Sequence, residues 1–346
     1  MRARKAITLA LFLTSLSFIS NYANAESVLT PPAGGSMYLG AYVDYLSGDA
    51  QSLTNNVATF EGTTGKSLAW NIILNEWGSN LQFPWYESYA AYNAGSTPLI
   101  RVLPRSVDYE TDAVDPILRL DYMNRGDFDA QIKQWADVAK QLPFPVLVEF
   151  APEANGNWYQ WSGTFYDNGP ALYQAVYQRF INICRQEGAT NITWVFHMNN
   201  LSNPATANNT MAQYYPGDSY IDWLGISVVG ALYQTDYWDN FTDLLDPGYT
   251  EMAAVSTTKP IAIVEASVIE SLQDPNKKAG WITDAYNAMK SGSYPRIKAF
   301  SFWSEPSWTT EGNDLRVDSS PQTLAAARAM FLDQMFITGT AWSTRH

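Results

Sequence analysis

With one cysteine and two histidines among 346 residues, the chain lacks the material for several kinds of chemistry. Cys184 alone allows no internal disulfide, and its place in the apolar helical stretch Tyr173 to Cys184 makes it a small core residue. His197 and His346 do not suffice for an ordinary histidine-rich zinc site. A Ser-His-Asp triad would have to use His197, since His346 is the last residue. Basic residues are also scarce: 21 Lys and Arg stand against 34 Asp and Glu, a net charge of −13. Nucleic acids and anionic membranes are bound through clustered Lys and Arg, so neither is expected as a partner, and strongly anionic polymers are disfavoured as substrates. No Gly-rich dinucleotide fingerprint or phosphate loop follows any predicted strand. No cofactor or metal is expected, and carboxylates remain as the candidates for chemistry.

Long apolar runs are confined to the N-terminus. Arg2, Arg4 and Lys5 precede an apolar run from Ala6 to Ser20, and Ala23-Asn24-Ala25 supplies small residues before Glu26. That order predicts a secretory signal over residues 1–25 with cleavage after Ala25. The run is shorter than the roughly 20 residues a membrane-spanning helix needs. The processed chain is expected to be secreted or periplasmic, off the membrane and monomeric. What is plentiful is aromatic surface, with 13 Trp and 21 Tyr. Flat rings suit both large cores and the faces of sugars.

No linker, charge block or short repeat divides the rest. Eight apolar runs recur instead: Met37–Val43, Ser67–Leu74, Pro98–Leu103, Pro145–Phe150, Ile192–Phe196, Ile221–Val229, Pro260–Val264 and Ile297–Trp303. Amphipathic segments lie between them, among them Asp127–Gln141, Pro170–Glu187 and Ala279–Lys290, with Pro321–Phe336 last. Strands alternating with helices imply parallel pairing, and continuous apolar runs fit strands buried on both faces. Eight such units in one domain, 26–346, predict a (β/α)8 TIM barrel of the α/β class, with an open doubly wound sheet as the alternative. In a barrel, function sits where strands end and βα loops begin.

Two glutamates stand there. Strand four, Val146 to Ala151, delivers Pro152 and Glu153, and strand seven, Pro260 to Val264, delivers Glu265. A charge directly after an apolar strand is costly unless it faces a polar, concave site. The bland explanation, a strand-end Glu paired with a nearby Arg, covers one such residue better than two. Glycoside hydrolysis needs such a pair, one carboxyl protonating the leaving oxygen and the other attacking or activating water.

Three segments carry a resemblance to glycoside hydrolase family 26, within the clan of retaining barrel enzymes: Glu153-x-Asn155-Gly156-x-Trp158-Tyr159-x-Trp161, Tyr214-Tyr215-Pro216-Gly217-Asp218-x-Tyr220-Ile221-Asp222-Trp223-x-Gly225, and Lys259-Pro260-Ile261 through Glu265. Trp194 with Asn199 echoes the family's strand five. The resemblance implies Glu153 as acid/base, Glu265 as nucleophile, and a β-linked polysaccharide or oligosaccharide as substrate. Within that family β-1,4-mannan is the commonest substrate, with mixed-linkage β-glucan and β-1,3-xylan as minority ones.

The chain departs from the family pattern around the site. Pro152 stands where the family has His, Ala154 where it often has Met, and Glu149 where it has Arg. Val228-Val229-Gly230 fill the place of a tyrosine that contacts the nucleophile, a role left to Tyr233. Arg101 on strand three is placed to pair with Glu149 inside the barrel, unless it points outward. Trp303 resembles the clan's tryptophan beneath the reacting sugar; Trp158, Tyr159 and Trp161 are candidates to line the cleft, and Asn199 to meet a sugar hydroxyl. Trp161 fits core packing equally well. Trp194 and Trp223 are expected between barrel and helices, and Trp77, Trp85 and Tyr86 at distal subsites. Two competing functions follow from the departures and the composition. One is a polysaccharide-binding or assembly protein that kept the barrel and lost turnover. The other, a metal-dependent deacetylase, needs more histidine than the chain has.

Overall fold

The computed structural model describes residues 27–43, 50–78, 80–106, 113–306 and 314–344. The expected signal segment at 1–25 and His346 lie outside them. Eight parallel strands form the centre: Met37–Val43 (β1), Trp70–Glu76 (β2), Thr97–Leu103 (β3), Val146–Phe150 (β4), Ile192–Asn199 (β5), Trp223–Val229 (β6), Ile261–Ser267 (β7) and Ile297–Ser304 (β8). Each pairs with the next, and β8 pairs with β1 from Tyr38↔Ala299 to Val43↔Ser304, which closes the barrel. The open-sheet alternative is thereby excluded.

Helices Ala50–Thr64 (α1), Trp85–Asn93 (α2), Asp129–Ala139 (α3), Gly169–Gln186 (α4), Met211–Tyr214 (α5), Phe241–Val255 (α6), Lys277–Lys290 (α7) and Pro321–Phe331 (α8) follow the strands in turn. Helix α4 shows why they pack. Pro170 suits the first turn, where its missing N–H costs nothing. Tyr173, Val176, Tyr177, Phe180, Ile181 and Cys184 then recur at helical spacing and are all buried. Cys184 is fully buried, and burial pushes its thiol far above its ordinary range, in line with a core role. No helix among the described residues is long and apolar enough to cross a membrane.

Inside the barrel, the N-terminal half is filled by rings. Tyr38, Trp70 and Trp223 lie with centroids 6.0–6.3 Å apart, and the Trp70 indole donates to Ser301 Oγ at 2.8 Å. Gly40 makes room for this: a Cβ there would sit 2.0 Å from Trp70 Nε1. Trp223 thus plugs the barrel interior, donating to Leu29 O, rather than packing between barrel and helices as expected. Trp194 does pack outward, on Tyr177 and Phe180 of α4. Strand Ser27–Leu29 pairs antiparallel with Trp342–Thr344.

One helix differs from expectation in its length. Helix α8 ends at Phe331, not Phe336, because Phe336–Ile337 leaves to pair beside β1, burying Phe336. Helix α6 carries Pro247 and Gly248 in its interior. Gly248 is needed there, since a Cβ would fall 2.8 Å from Asn200 Cβ.

Candidate active site

Strand β4 splits its side chains between two surroundings. Phe150 faces outward onto Tyr177 and Phe180, while Glu149 faces into the barrel and is fully buried. Beyond the strand the chain turns sharply, with Ala151 and Glu153 at φ 48° and 56°. Left-handed backbone is costly for residues with a Cβ and persists where the surroundings over-determine it. Here the ties are Ala151 N–H to Val102 O at 2.9 Å and Glu153 N–H to His197 O at 3.0 Å.

The rest of that motif supports Glu153. The buried Asn155 donates to Asn199 O at 3.0 Å, accepts from Asn199 N–H at 2.9 Å, and its carbonyl accepts from Asn209 Nδ2. Gly156 lets Trp158 fold back over it, because a Cβ would lie 2.4 Å from that ring. The Trp158 indole N–H then donates to Glu153 Oε2 at 3.0 Å. Glu153 itself is 7% exposed.

Glu265 reaches the interior through an irregularity. Strands β6 and β7 pair Ile226 with Ile263 but Ser227 with Glu265, so one extra residue is inserted between them. Such a bulge re-aims the following side chain. Glu265 therefore points into the barrel mouth, its side chain 15% exposed. Arg101 of β3 donates from Nη1 to Glu265 Oε2 at 2.6 Å. The same guanidinium donates from Nε to Glu149 Oε1 and lies 4.9 Å from the centroid of Trp303.

Glu149 is held from its other side. His197 Nδ1 sits 2.9 Å from Glu149 Oε2, close enough for an ion pair although angled away from an ideal hydrogen bond. His197 Nε2 lies 2.7 Å from Ser227 Oγ. An ionised carboxylate only accepts, which favours a proton on Nδ1. Ser227, His197 and Glu149 have the connectivity of a nucleophilic triad, yet Ser227 and Glu149 are fully buried, and no substrate could reach the hydroxyl.

These contacts set the charges. Burial opposes ionisation of Glu149, but Arg101 and His197 outweigh it and hold the carboxyl at about 2. Glu265 is raised above its ordinary value by burial, against the pull of Arg101 and with the push of Glu153. Arg101 is held cationic against burial by Glu149 and Glu265. The arrangement can supply a buried nucleophilic carboxylate with a fixed cation, beside a second carboxyl carried by a strained turn. No cluster of His, Cys, Asp and Glu suited to a metal occurs among the described residues.

The other expected residues fall less uniformly. Trp303 is 7% exposed and stacks on Tyr42 at 3.9 Å, its indole donating to Glu305 Oε2. Tyr159 is half-buried and stacks on Trp161 at 4.5 Å. Trp161 is a correction: it is 1% exposed and donates to Pro152 O, so it is a core support of the acid-bearing turn. Trp77 is another, packed on Phe150 and Phe180 beneath the surface. Asn199 spends its amide on Leu201 O at 2.7 Å. Tyr233 is 38% exposed on the rim, and the bond to Glu265 expected of it is made by Arg101. Trp85 and Tyr86 line a groove of about 1000 Å³ together with Tyr42, Glu76 and Phe83. The sequence reading missed Ser227; its only signal was an inward position two residues after Gly225.

Comparison with known proteins converges on the same region. The family model of glycosyl hydrolase family 26 matches residues 106–292, which include Glu153 and Glu265. The chain belongs to glycosyl hydrolase family 26. Endoglucanase H of Acetivibrio thermocellus is 30% identical over 283 residues, 79% of this chain and 28% of that protein. A mannan endo-1,4-beta-mannosidase of Bacillus subtilis is 28% identical over 187 residues, 51% of this chain and 45% of that protein. The chain therefore spans less than half the length of either relative. Among solved structures, the catalytic domain of a Bacillus sp. JAMB-750 family 26 endo-β-1,4-mannanase superposes with a TM-score of 0.64 at 16% identity, covering 87% of each chain. Bacillus subtilis mannanase man26 gives 0.54 at 19% identity, covering 89% of this chain and 88% of that one. These two likenesses speak for the fold.

Proposed function

We propose that this family 26 chain hydrolyses a β-1,4-linked polysaccharide with retention of configuration, Glu153 acting as acid/base and Glu265 as nucleophile. The observation that carries this reading is geometric: Arg101 holds the Glu265 carboxylate at 2.6 Å in the barrel mouth, and the left-handed turn after β4 carries Glu153, held by the Trp158 indole at 3.0 Å, at the same end of the barrel. In the first step Glu265 attacks the anomeric carbon as Glu153 hands its proton to the departing oxygen. The glycosyl bond neutralises Glu265, and Glu153, now ionised, takes a proton from the water that cleaves the intermediate. Trp158 keeps Glu153 aimed through both steps, and Arg101 keeps Glu265 from turning away. Sugar contacts fall to Trp158, Tyr159 and the edge of Trp303, with Tyr233, Asn199 and Arg101 further candidates.

β-1,4-Mannan is the first polymer to test. A glucan is the second, favoured by the endoglucanase relative that matches 79% of the chain. Along a β-1,4-linked stretch the two differ at each residue only in the orientation of the C2 hydroxyl. The decisive experiment measures reducing ends released from mannan, mixed-linkage β-glucan, laminarin and xylan by the protein and by Glu153→Gln. Activity on mannan or mixed-linkage β-glucan that the substitution abolishes supports the reading, whereas cleavage of laminarin alone would overturn the β-1,4 assignment. Saccharide binding with no release of reducing ends would favour a binding or assembly protein instead.

A further inference from the structure

We propose that Glu149, which never meets substrate, sets the reactivity of Glu265 by competing with it for Arg101. The inference rests on the reading of Glu265 as nucleophile and concerns how the barrel tunes it. Arg101 is 3% exposed and bridges two carboxylates, through Nε to Glu149 and through Nη1 to Glu265. A guanidinium that served Glu265 alone would hold it ionised but damp its nucleophilicity, since a more stabilised anion attacks more slowly. Neutralising Glu265 needs no second acid. Burying Glu149 beside it carries a desolvation cost that an apolar residue of similar volume would avoid.

The second carboxylate makes sense as a divider of the cation. His197 holds the far oxygen of Glu149 and Ser227 holds His197, so Glu149 cannot drift from Arg101. Ser227 is also the strand partner of Glu265, which fixes the spacing between the two carboxylates. Around Glu265 the titratable or charged groups are Arg101 from β3, Glu149 behind it on β4, Glu153 beyond that strand and His197 from β5. Strand β6 offers the uncharged Ser227. From β8 and β1 come Trp303, bonded to Glu305, and Tyr42 stacked on it. Of these, the cation that touches both carboxylates is Arg101. Glu149 is thus a positioning residue that acts through Arg101 and is not itself catalytic.

The test is a carboxyl titration of Glu265 in protein carrying 13C-glutamate, its signal assigned by loss in Glu265→Gln. In Glu149→Gln, Arg101 turns wholly to Glu265 and a like charge disappears. Both changes move the Glu265 midpoint downward, by about one pH unit. The acid limb of kcat/KM should move with it, while kcat falls. Glu149→Asp keeps the charge but withdraws it slightly, so its midpoint should fall between the wild type and the Gln variant. That variant keeps the question open to refutation should Glu149→Gln not fold. A Glu265 midpoint that stays put or rises in both variants, with only thermal stability reduced, would overturn the inference and leave the hydrolase reading intact. Failure of that reading shows differently, as no glycan cleavage by the wild type or undiminished cleavage by Glu265→Gln, while the titration still reports on Arg101.

Discussion

The barrel interior is built twice, in two materials. Its N-terminal half is closed by Tyr38, Trp70 and Trp223, rings whose polar edges are satisfied by uncharged partners: Thr30 O and Ala341 N–H for Tyr38, Ser301 Oγ for Trp70 and Leu29 O for Trp223. Its C-terminal half is closed by Glu149, Arg101, His197 and Glu265, side chains whose charges must cancel before they can be buried. The same strands supply both halves: β6 gives Trp223 to one and Ser227 to the other. The contrast separates what a barrel needs in order to close from what a site needs in order to react. Apolar packing is sensitive to volume and indifferent to pH, whereas the charged layer is sensitive to both partner and proton.

The sharpest break between the halves is in rate. Glu265→Gln should reduce kcat/KM at least about 10³-fold, and Glu153→Gln by about 10² to 10⁴-fold, both measured as reducing-end release. Neither should lower the melting temperature much, because each removes a charge from a crowded acidic site. Arg101→Met should instead unfold the protein more easily, by about 3–5 kcal/mol in denaturant titrations, since it strands the buried Glu149. The double variant Arg101→Met with Glu149→Leu should regain most of that stability and none of the activity. A double variant that regained activity would show that the charged layer is only packing.

In the other half, Gly40→Ala forces a methyl group against the Trp70 indole and should cost about 1–3 kcal/mol without altering the pH profile. Acid should separate the two demands as well. Glu149 lies below its ordinary 4.5, so its contribution to stability is present above pH 4.5 and lost as pH falls toward about 2. Glu265 lies above 4.5, and in the proposed mechanism it must be ionised to attack. Activity should therefore fade on the acid side above pH 4.5, while near-UV circular dichroism still reports a folded barrel. The smallest effect expected is that of Trp158→Phe, which removes the indole bond to Glu153 and should lower kcat about tenfold with KM little changed.

Much of this was legible in the sequence, and unevenly so. The eight strands read well because burial on both faces leaves continuous apolar runs, and both glutamates stood out as charges at the ends of such runs. The Arg101–Glu149 pair was also readable, since adjacent strands and rarely unpaired charges suggest it. The inward turn of Glu265 was not, because the bulge between β6 and β7 depends on how two strands register. Nor was the division of aromatics between cleft and core. Trp158 and Trp161 are three residues apart in one motif, yet one reaches Glu153 and the other is sealed beneath Pro152. Spacing cannot distinguish them, because the left-handed turn at Ala151 and Glu153 decides which way each ring falls. Tyr233 failed as a partner of Glu265 for a related reason: Arg101 had already filled that role from the opposite side of the barrel.

The central claim, that one of these two carboxylates bonds to the sugar and the other to its leaving oxygen, can be tested in a single trapping experiment. The protein is incubated with a 2-deoxy-2-fluoro β-glycoside of the hydrolysed sugar carrying a good leaving group, then digested and mapped by mass spectrometry. The account predicts one glycosyl adduct per chain, on the peptide containing Glu265, formed more slowly in Glu149→Gln. An adduct on any other residue, or turnover through an inverted product with no adduct, would contradict it.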